Sequence, residues 1–340
     1  MSTSARVRRA ALVGAASLFL VACTAGSPTG NRSVEVPTVS TTTPACSLDD
    51  KLVPSCGPLV GVTTEKPTNA ALAAAESKMQ RPYDLVYRFH RVTDVVPTEE
   101  EVTLVKAGRL LHLSIGLRPT DTWADVAAGA FDKTLALQAK AVAALGKPIW
   151  ITFDHEPDNP AKLQRGSGSD YVRAWRRVRD VYRTAGATNA VWVWVSIGTD
   201  AGIRRAATMW PGNDAVDWIS WDVYNASGCR TGPFQPSRWQ SFESSFDVFR
   251  TWLEAQGPRL GIDLTKPMMI SEAGSVADPK NPARRAEWYA EIPAVLKRYP
   301  QVKAVTLWDR MGNGSCDYRF NADPLVRKQV DILLATAASR

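Results

Sequence analysis

The chain has 340 residues, a length that suits one large domain or two modest ones, and 45% of them are hydrophobic. Its formal net charge is +7, but part of that excess lies in the first nine residues, and no Lys/Arg run is interleaved with aromatic residues. The composition therefore argues against a nucleic-acid partner. The chain also has 12 Trp, a high count, which core packing can explain, although Trp rings also stack well on flat ligand surfaces.

The N-terminus has the layout of an export signal. Three arginines precede the apolar stretch AALVGAASLFLVA, which is too short to span a bilayer comfortably as a helix, and Cys23 follows directly. The segment LVAC resembles the bacterial lipobox, in which the cysteine becomes the lipidated first residue of the mature protein. We therefore expect residues 1–22 to be a lipoprotein signal peptide and Cys23 to anchor an exported protein to the outer face of the cell membrane. An ordinary secretory signal with an incidental cysteine is the alternative.

Residues 23–57 are dominated by Ser, Thr, Pro and Gly, with few large apolar residues that could build a core. We interpret them as a tether between the membrane and a folded domain.

Four cysteines remain after Cys23, and an even number in an exported chain suggests disulfides. Three pairings are possible. We favour Cys46–Cys56, which closes a local loop, together with Cys229–Cys316, which links distant segments. A metal site is disfavoured because neither CxxC nor a paired-His spacing occurs.

From Pro58 onward, short apolar or β-branched runs alternate with segments of helical periodicity. The candidate strands are residues 58–64, 84–92, 110–117, 147–156, 190–198, 216–224, 266–275 and 302–310. Helical candidates follow the first, fourth, seventh and eighth runs, at residues 69–80, 169–187, 281–300 and 323–339. Residues 200–213, after the fifth run, have little helical character.

Strand–helix alternation repeated eight times predicts a parallel sheet, and eight units fit a closed (β/α)8 barrel, which typically has about 250 residues. The alternative is an open doubly wound sheet, but the Gly-rich phosphate turn typical of that fold is missing after the first run. We therefore expect residues 58–340 to form an α/β domain with the (β/α)8, or TIM-barrel, fold.

Two glutamates occupy equivalent places in this pattern. Active sites of such barrels lie where the strands end, at the C-terminal face. Glu156 follows the fourth run in PIWITFDHEPD, and Glu272 lies near the end of the seventh in KPMMISEAGS. Either residue alone could be a carboxylate of a solvated loop. At matching strand ends, they predict a pair that performs acid–base and nucleophilic chemistry on a sugar linkage.

These segments are similar to glycoside hydrolase family 26, whose best-known members are endo-β-1,4-mannanases of a clan of retaining (β/α)8 glycosidases. The resemblance covers about residues 58–330 and is most specific between 147 and 275. It rests on the pair His155-Glu156 and on the segments YVRAWRRVRDVYRTAGATNAVWVWV, WPGNDAVDWISWDVYN and KPMMISEAGS. It implies that Glu156 is the catalytic acid/base and Glu272 the nucleophile.

The chain departs from the family pattern at two places beside the acid/base. Thr152 stands where the family often has Arg, and Pro157-Asp158 stand where it often has Met-Asn. We expect these positions to shape the subsite for the cleaved sugar. A β-glucan, a xylan or a cell-envelope glycan therefore stays open as the substrate beside β-mannan.

The retaining mechanism makes different demands on the two carboxyl groups, which lie about 5–5.5 Å apart in such enzymes. Glu156 must hold a proton for the leaving oxygen, whereas Glu272 must be ionised to attack the anomeric carbon. An ionised nucleophile needs a hydrogen-bond donor. Tyr224, at the end of the sixth run, is our candidate, with core packing as the alternative.

Four residues are further candidates for substrate contacts. His155 could orient the acid/base, bind sugar or be structural, and His90 at the end of the second run is equally ambiguous. Asp222 shares a strand face with Tyr224 and could bind sugar or close a salt bridge inside the barrel. Trp308 could stack on a pyranose ring.

Three neighbouring residues have mainly structural interpretations. Asp154 is two residues from Glu156, so the two side chains are expected on the same side of the strand. Asp154 could tune the acidity of Glu156 or pair with an arginine of the barrel. Trp194 is expected to pack in the core, and Trp221 to face the helices because its parity is opposite to that of Tyr224.

The predicted function is an exported, lipid-anchored, retaining endo-β-glycosidase that acts on a polysaccharide or oligosaccharide, with β-mannan as the first candidate. The alternative of another class is an inactive barrel that only binds carbohydrate, which would have no need for both glutamates. Because carboxylates fill both catalytic roles, no cofactor or metal is expected. We also expect a monomer.

Overall fold

Eight parallel strands close into a barrel in the computed structural model, which describes residues 46–336. The strands are β1 (Leu59–Thr64), β2 (Leu85–Arg91), β3 (Leu110–Gly116), β4 (Ile149–Phe153), β5 (Ala190–Ser196), β6 (Trp218–Asn225), β7 (Met268–Ser275) and β8 (Val302–Asp309). Each strand pairs with the next in sequence, and β8 pairs with β1. The (β/α)8 fold is confirmed, and each of the predicted runs coincides with one strand to within a few residues.

Helices cover the outside of this barrel. They are α1 (Asn69–Glu76), α2 (Glu99–Lys106), α3 (Trp123–Ala127), α4 (Asp132–Ala144), α5 (Gly168–Thr184), α6 (Asp200–Ala206), α7 (Phe242–Gln256), α8 (Ala283–Ala290), α9 (Ile292–Arg298) and α10 (Pro324–Thr336). The helical segment predicted at 281–300 is divided between α8 and α9, because Pro293 has no N–H to continue the hydrogen bonds of α8. Within residues 46–336, no helix has the length and apolarity that crossing a membrane requires.

The side chains of each strand alternate between the barrel interior and the helices. On β4, Ile151 and Phe153 join the large apolar core under the helices, whereas Trp150 belongs to the cluster that fills the barrel. Trp194 packs on Trp210, and Trp221 packs on aromatic rings of α7. The predicted packing roles of Trp194 and Trp221 are therefore confirmed.

Residues 46–57 close the N-terminal end of the barrel. Leu52 is buried in the interior cluster, and Trp218 Nε1, at the start of β6, donates a hydrogen bond of 2.7 Å to the Lys51 carbonyl. The predicted disulfide between Cys46 and Cys56 is present in this segment.

The packing of these residues differs from the tether interpretation of residues 23–57. The contacts described above are made by the Leu52 side chain and the Lys51 carbonyl. The overall composition of the segment does not reveal such individual contacts. The signal peptide, Cys23 and the earlier part of the tether lie outside the described residues.

Candidate active site

The C-terminal ends of the strands border an open cleft of about 390 Å³. Glu156 and Glu272 both line it, together with His155, Tyr224 and Trp308. The barrel therefore brings five of the sequence-predicted site residues together from β6, β7, β8 and the loop after β4.

Glu156 projects from a tight turn directly after β4. Asp154 and Glu156 have φ angles of +44° and +50°, a region that non-glycine residues rarely adopt. The Glu156 N–H donates a hydrogen bond of 2.9 Å to the Val195 carbonyl on β5, which fixes the turn against the neighbouring strand. Such conformations persist where the surroundings enforce them, and they concentrate at functional sites.

The buried Asp154 carboxylate anchors this turn. It accepts a hydrogen bond of 2.8 Å from Trp123 Nε1 and forms ion pairs with Arg165 at 2.5 Å and Lys162 at 3.2 Å. Burial opposes ionisation, but the charges of Lys162 and Arg165 outweigh it and hold the pKa of Asp154 below its ordinary value. The sequence left two roles open for Asp154, tuning Glu156 or pairing with an arginine. In the structure Asp154 pairs with Arg165.

Glu272 lies where the pairing of β7 is irregular on both sides. The register with β6 shifts between Trp221 and Asp222, and the register with β8 shifts between Ile270 and Ala273. Bulges of this kind redirect side chains and are common beside active sites. The irregularity places the Glu272 carboxyl group in the cleft wall, where the residue is 5% exposed.

Tyr224 occupies the position expected of a hydrogen-bond donor to Glu272. Its hydroxyl donates a hydrogen bond of 2.7 Å to Glu272 Oε2, whereas Oε1 is buried without a hydrogen-bond partner among the described residues. Burial, with the nearby charge of Glu156, raises the pKa of Glu272 to about 8, and the Tyr224 hydroxyl opposes this shift. Tyr224 therefore favours the ionised form of Glu272 in a site that otherwise disfavours charge.

Asp222 is a third carboxyl group beside the two glutamates. Both of its oxygens are buried, and the side chains that act on it most strongly are the carboxyl groups of Glu272 and Glu156. Burial, followed by the charges of Glu272 and Glu156, raises the pKa of Asp222 well above its ordinary value. Burial and mutual repulsion thus act in the same direction on Asp222 and Glu272 and favour the protonated form of each.

Asp222 forms no salt bridge with the residues that the structure describes, and its expected contact with sugar stays a prediction. It lines a smaller pocket of about 220 Å³ that shares Tyr224 and Arg230 with the cleft. No group of three or more His, Cys, Asp or Glu side chains in the described part of the chain is arranged to hold a metal ion.

His155 is part of the cleft wall and is neutral. Its Nδ1 lies 2.9 Å from Ser114 Oγ, and its ring meets the edge of Phe89. Burial, with the charge of Lys162, holds the pKa of His155 well below its ordinary value. A neutral imidazole at this position can offer a hydrogen bond to a sugar hydroxyl without adding charge beside Glu156.

Aromatic rings form the side of the cleft at β8. Trp308 is half-buried and meets Phe89 and Tyr224 edge to face, with ring centroids 5.5 and 6.3 Å apart. The cation of Arg310 lies 5.2 Å from the Trp308 ring. The position of Trp308 is compatible with its expected role as a stacking surface.

His90 does not reach the cleft, and we correct its expected role as a substrate contact. Its Nε2 lies 2.6 Å from Glu101 Oε1 on α2. Because strand side chains alternate, the preceding residue Phe89 points into the cleft instead. His90 therefore connects β2 to α2 through its contact with Glu101.

Several cleft residues were not predicted from the sequence, among them Phe89, Asn159, Arg230, Arg310 and Tyr318. Asn159 has the clearest contact, because its Nδ2 donates a hydrogen bond of 2.7 Å to Glu156 Oε2. Phe89 could have been found by placing β2 in register, whereas the others lie beyond strand ends, where no periodicity indicates direction.

The two departures from the family pattern are buried away from the cleft surface. Thr152 Oγ1 donates to the Val193 carbonyl at 2.9 Å and lies 2.8 Å from His112 Nε2. Asp158 accepts hydrogen bonds from Ser196 Oγ and the Ile197 N–H. Neither lines the cleft, so the expectation that they shape a sugar subsite is not supported by their positions.

The predicted disulfide between Cys229 and Cys316 is present at the C-terminal face. It joins the loop after β6 to the loop after β8. Arg230 and Tyr318, both in the cleft wall, lie one and two residues from its cysteines. The bridge therefore holds two loops that line the cleft.

The chain was compared with protein families, curated proteins and solved structures. No protein-family model matches the sequence. Endoglucanase H of Acetivibrio thermocellus is 27% identical over 272 residues, which are 76% of this chain and 28% of that protein. The chain thus spans just over a quarter of the length of this curated relative.

Two solved structures are similar over most of the chain. A glycoside hydrolase family 26 β-mannanase from Bacteroides ovatus matches with a TM-score of 0.58 and 15% identity, over 82% of this chain and 88% of that one. A modular endo-β-1,4-mannanase from Cellulomonas fimi matches with a TM-score of 0.56 and 15% identity, over 81% and 70%. What these likenesses establish is the fold. They agree with the resemblance to family 26 that the sequence motifs carry.

Proposed function

We propose that the protein is a retaining endo-β-glycosidase that hydrolyses a β-linked polysaccharide, with β-mannan as the first substrate to test. The observation that carries this proposal is the meeting of Glu156 and Glu272 in one cleft, each within reach of the other's charge, with the Tyr224 hydroxyl on Glu272. A carbohydrate-binding protein would not require this arrangement.

The reaction proceeds in two displacements. Glu272 attacks the anomeric carbon while Glu156 gives its proton to the departing glycosidic oxygen, so that a glycosyl ester forms and the leaving sugar departs with a free hydroxyl. Glu156, now a carboxylate, removes a proton from water, which attacks the same carbon and releases Glu272. Both carboxyl groups return to their starting protonation states.

The similar proteins support both a mannan and a glucan as candidate substrates. The two solved neighbours are described as mannanases, and the curated relative as an endoglucanase. A xylan and a cell-envelope glycan are the remaining candidates.

A panel of these polysaccharides, with detection of new reducing ends, tests the proposal. We expect cleavage of at least one β-linked polymer and losses of more than about a thousandfold in Glu156→Gln and Glu272→Gln. Glu287→Gln, at an exposed position of α8, is the matched control and should keep full activity. Binding without cleavage by the unaltered protein would favour the carbohydrate-binding alternative.

We also propose that the protein is exported, anchored by a lipid on Cys23, and monomeric. The support is the order of charge, apolar stretch and cysteine at the N-terminus. Metabolic labelling of cells with a fatty-acid probe should label the unaltered chain and not Cys23→Ala. Equal labelling of both would contradict the anchor, and gel filtration of the detergent-solubilised protein tests the oligomeric state.

A further inference from the structure

We propose that Asn159 is a positioning residue for Glu156, whose amide group fixes the acid/base carboxyl and directs the transferable proton to Oε1. This inference rests on the proposed function, because it concerns the group that acts as the acid/base. It also makes a physical claim about one carboxyl group that can be measured without substrate.

The orientation of the Asn159 amide is determined by its own oxygen. Oδ1 accepts a hydrogen bond of 2.9 Å from the Ala161 N–H, so Nδ2 is the atom that faces Glu156, at 2.7 Å from Oε2. An amide nitrogen can only donate. A carbonyl oxygen accepts better than a hydroxyl oxygen, so the bond favours Oε2 as the carbonyl of the protonated acid. The proton is then carried by Oε1.

The donor is held in place by the backbone around it. The Asn159 N–H donates to the Glu156 carbonyl at 3.1 Å, and the Asn159 carbonyl accepts from the Lys162 N–H at 2.8 Å and from Arg205 Nη1 at 3.2 Å. Asn159 also caps the 3₁₀ turn at Pro160–Arg165. The amide is therefore preorganised before any substrate binds.

The surroundings of Glu156 explain why such a donor is useful. Five titratable or charged groups face it: Tyr87 on β2, Asp158 in its own loop, Asp222 on β6, Arg230 after β6 and Glu272 on β7. Three of these are carboxyl groups, which repel the Glu156 carboxylate formed in the first displacement. A donor bond is stronger to an ionised acceptor, so Asn159 favours that carboxylate and keeps it aligned for the second displacement.

Two substitutions remove the donor while keeping the acceptor for the Ala161 N–H. In Asn159→Ser the hydroxyl can still cap the 3₁₀ turn but is too short to reach Glu156, and in Asn159→Asp a carboxylate replaces the donor. The control is Asn213→Ser, because Asn213 makes the same two kinds of bond at the other end of the barrel, to the Gly261 carbonyl and from the Asp263 N–H.

Without the Asn159 donor the Glu156 carboxylate is less favoured. In the pH profile of kcat/KM, we therefore expect Asn159→Ser to shift the basic limb to higher pH by about one unit. For a substrate with a poor leaving group kcat should fall about tenfold with KM nearly unchanged, whereas cleavage of a dinitrophenyl glycoside, which needs little acid assistance, should fall much less. Asn159→Asp should move the limb further in the same direction, and Asn213→Ser should match the unaltered protein. Unchanged profiles and leaving-group dependence in both Asn159 variants would overturn the proposal.

A second measurement separates this inference from the proposed function. ¹³C NMR of the full chain labelled at Glu side-chain carboxyl carbons, with the Glu156 signal assigned by Glu156→Gln, follows its titration without any substrate. The midpoint should be higher in Asn159→Ser than in the unaltered protein or in Asn213→Ser. An unchanged or lower midpoint would overturn the inference, whereas failure of the unaltered protein to cleave any glycan would overturn only the proposed function.

Discussion

The hydroxyl of Tyr224 on β6 donates a hydrogen bond of 2.7 Å to Oε2 of Glu272 on β7. The two residues are 48 positions apart in the chain and adjacent strands bring them together. This bond opposes the effects of burial and of the neighbouring carboxyl groups on Glu272. It favours the ionised form of Glu272, the form that the proposed nucleophile needs.

Replacing Tyr224 with Phe should therefore impair the first displacement. Without the donor the pKa of Glu272 rises further, so the acidic limb of the kcat/KM profile should move to higher pH and kcat should fall by about ten- to a hundredfold. Tyr182→Phe is the matched control, because the Tyr182 hydroxyl is also buried but is bonded to Gln138 between helices. A Tyr224→Phe profile that overlays that of the unaltered protein would contradict this role.

The disulfide between Cys229 and Cys316 should matter for both stability and substrate binding. It links cysteines 87 positions apart, whereas Cys46–Cys56 links cysteines 10 apart at the other end of the barrel. Removal of the longer link should cost about 4 kcal/mol of unfolding free energy on the chain-entropy account and should raise KM, because loops that line the cleft are released.

The double variant Cys46→Ser with Cys56→Ser provides the comparison. It should lose somewhat less stability and keep its KM. Thermal unfolding and steady-state kinetics of the two double variants measure both quantities. Equal KM values would show that the Cys229–Cys316 bridge does not position the cleft.

His112 should make stability depend on pH. It is buried in the barrel, stacked on Tyr87 with 4.0 Å between ring centroids, and burial lowers its pKa from 6.5 to about 3. Between these values the unfolded chain binds a proton that the folded chain does not, so stability falls as pH falls through this window. At about pH 4.5 the loss relative to neutral pH should be about 2–3 kcal/mol.

The contribution of His112 can be isolated with His112→Gln and urea unfolding at both pH values. Burial raises the pKa of Asp158 to about 6, which acts in the opposite direction between 3.8 and that value, so only the difference between the two proteins is informative. The variant should lose less stability on acidification than the unaltered chain. An identical pH dependence would mean that His112 is protonated in the folded state.

The residues that sequence reasoning placed correctly lie inside strands or within three residues of a strand end. The two-residue repeat of β6 puts Tyr224 in the cleft and Trp221 against the helices, and both predictions match the structure. The barrel itself was predictable because eight apolar runs separated by helical segments have few other arrangements.

The residues that sequence reasoning missed depend on loop geometry or on strand ends. Asn159 reaches Glu156 because the turn after β4 adopts positive φ angles, which the sequence FDHEPDN does not specify. His90 lies one position from the inward-facing Phe89, so a small error in register reversed its assignment. Whether Trp308 and His155 contact sugar stays a prediction.

The most direct test of the account is to identify the residue that becomes glycosylated. The protein is incubated with a 2-deoxy-2-fluoro glycoside of the sugar that the polysaccharide panel selects, digested, and mapped by mass spectrometry. The account predicts one added glycosyl group, on the peptide that contains Glu272, and none in Glu272→Gln. A label on a different residue, or hydrolysis of the matching polysaccharide to an inverted anomer, would contradict it.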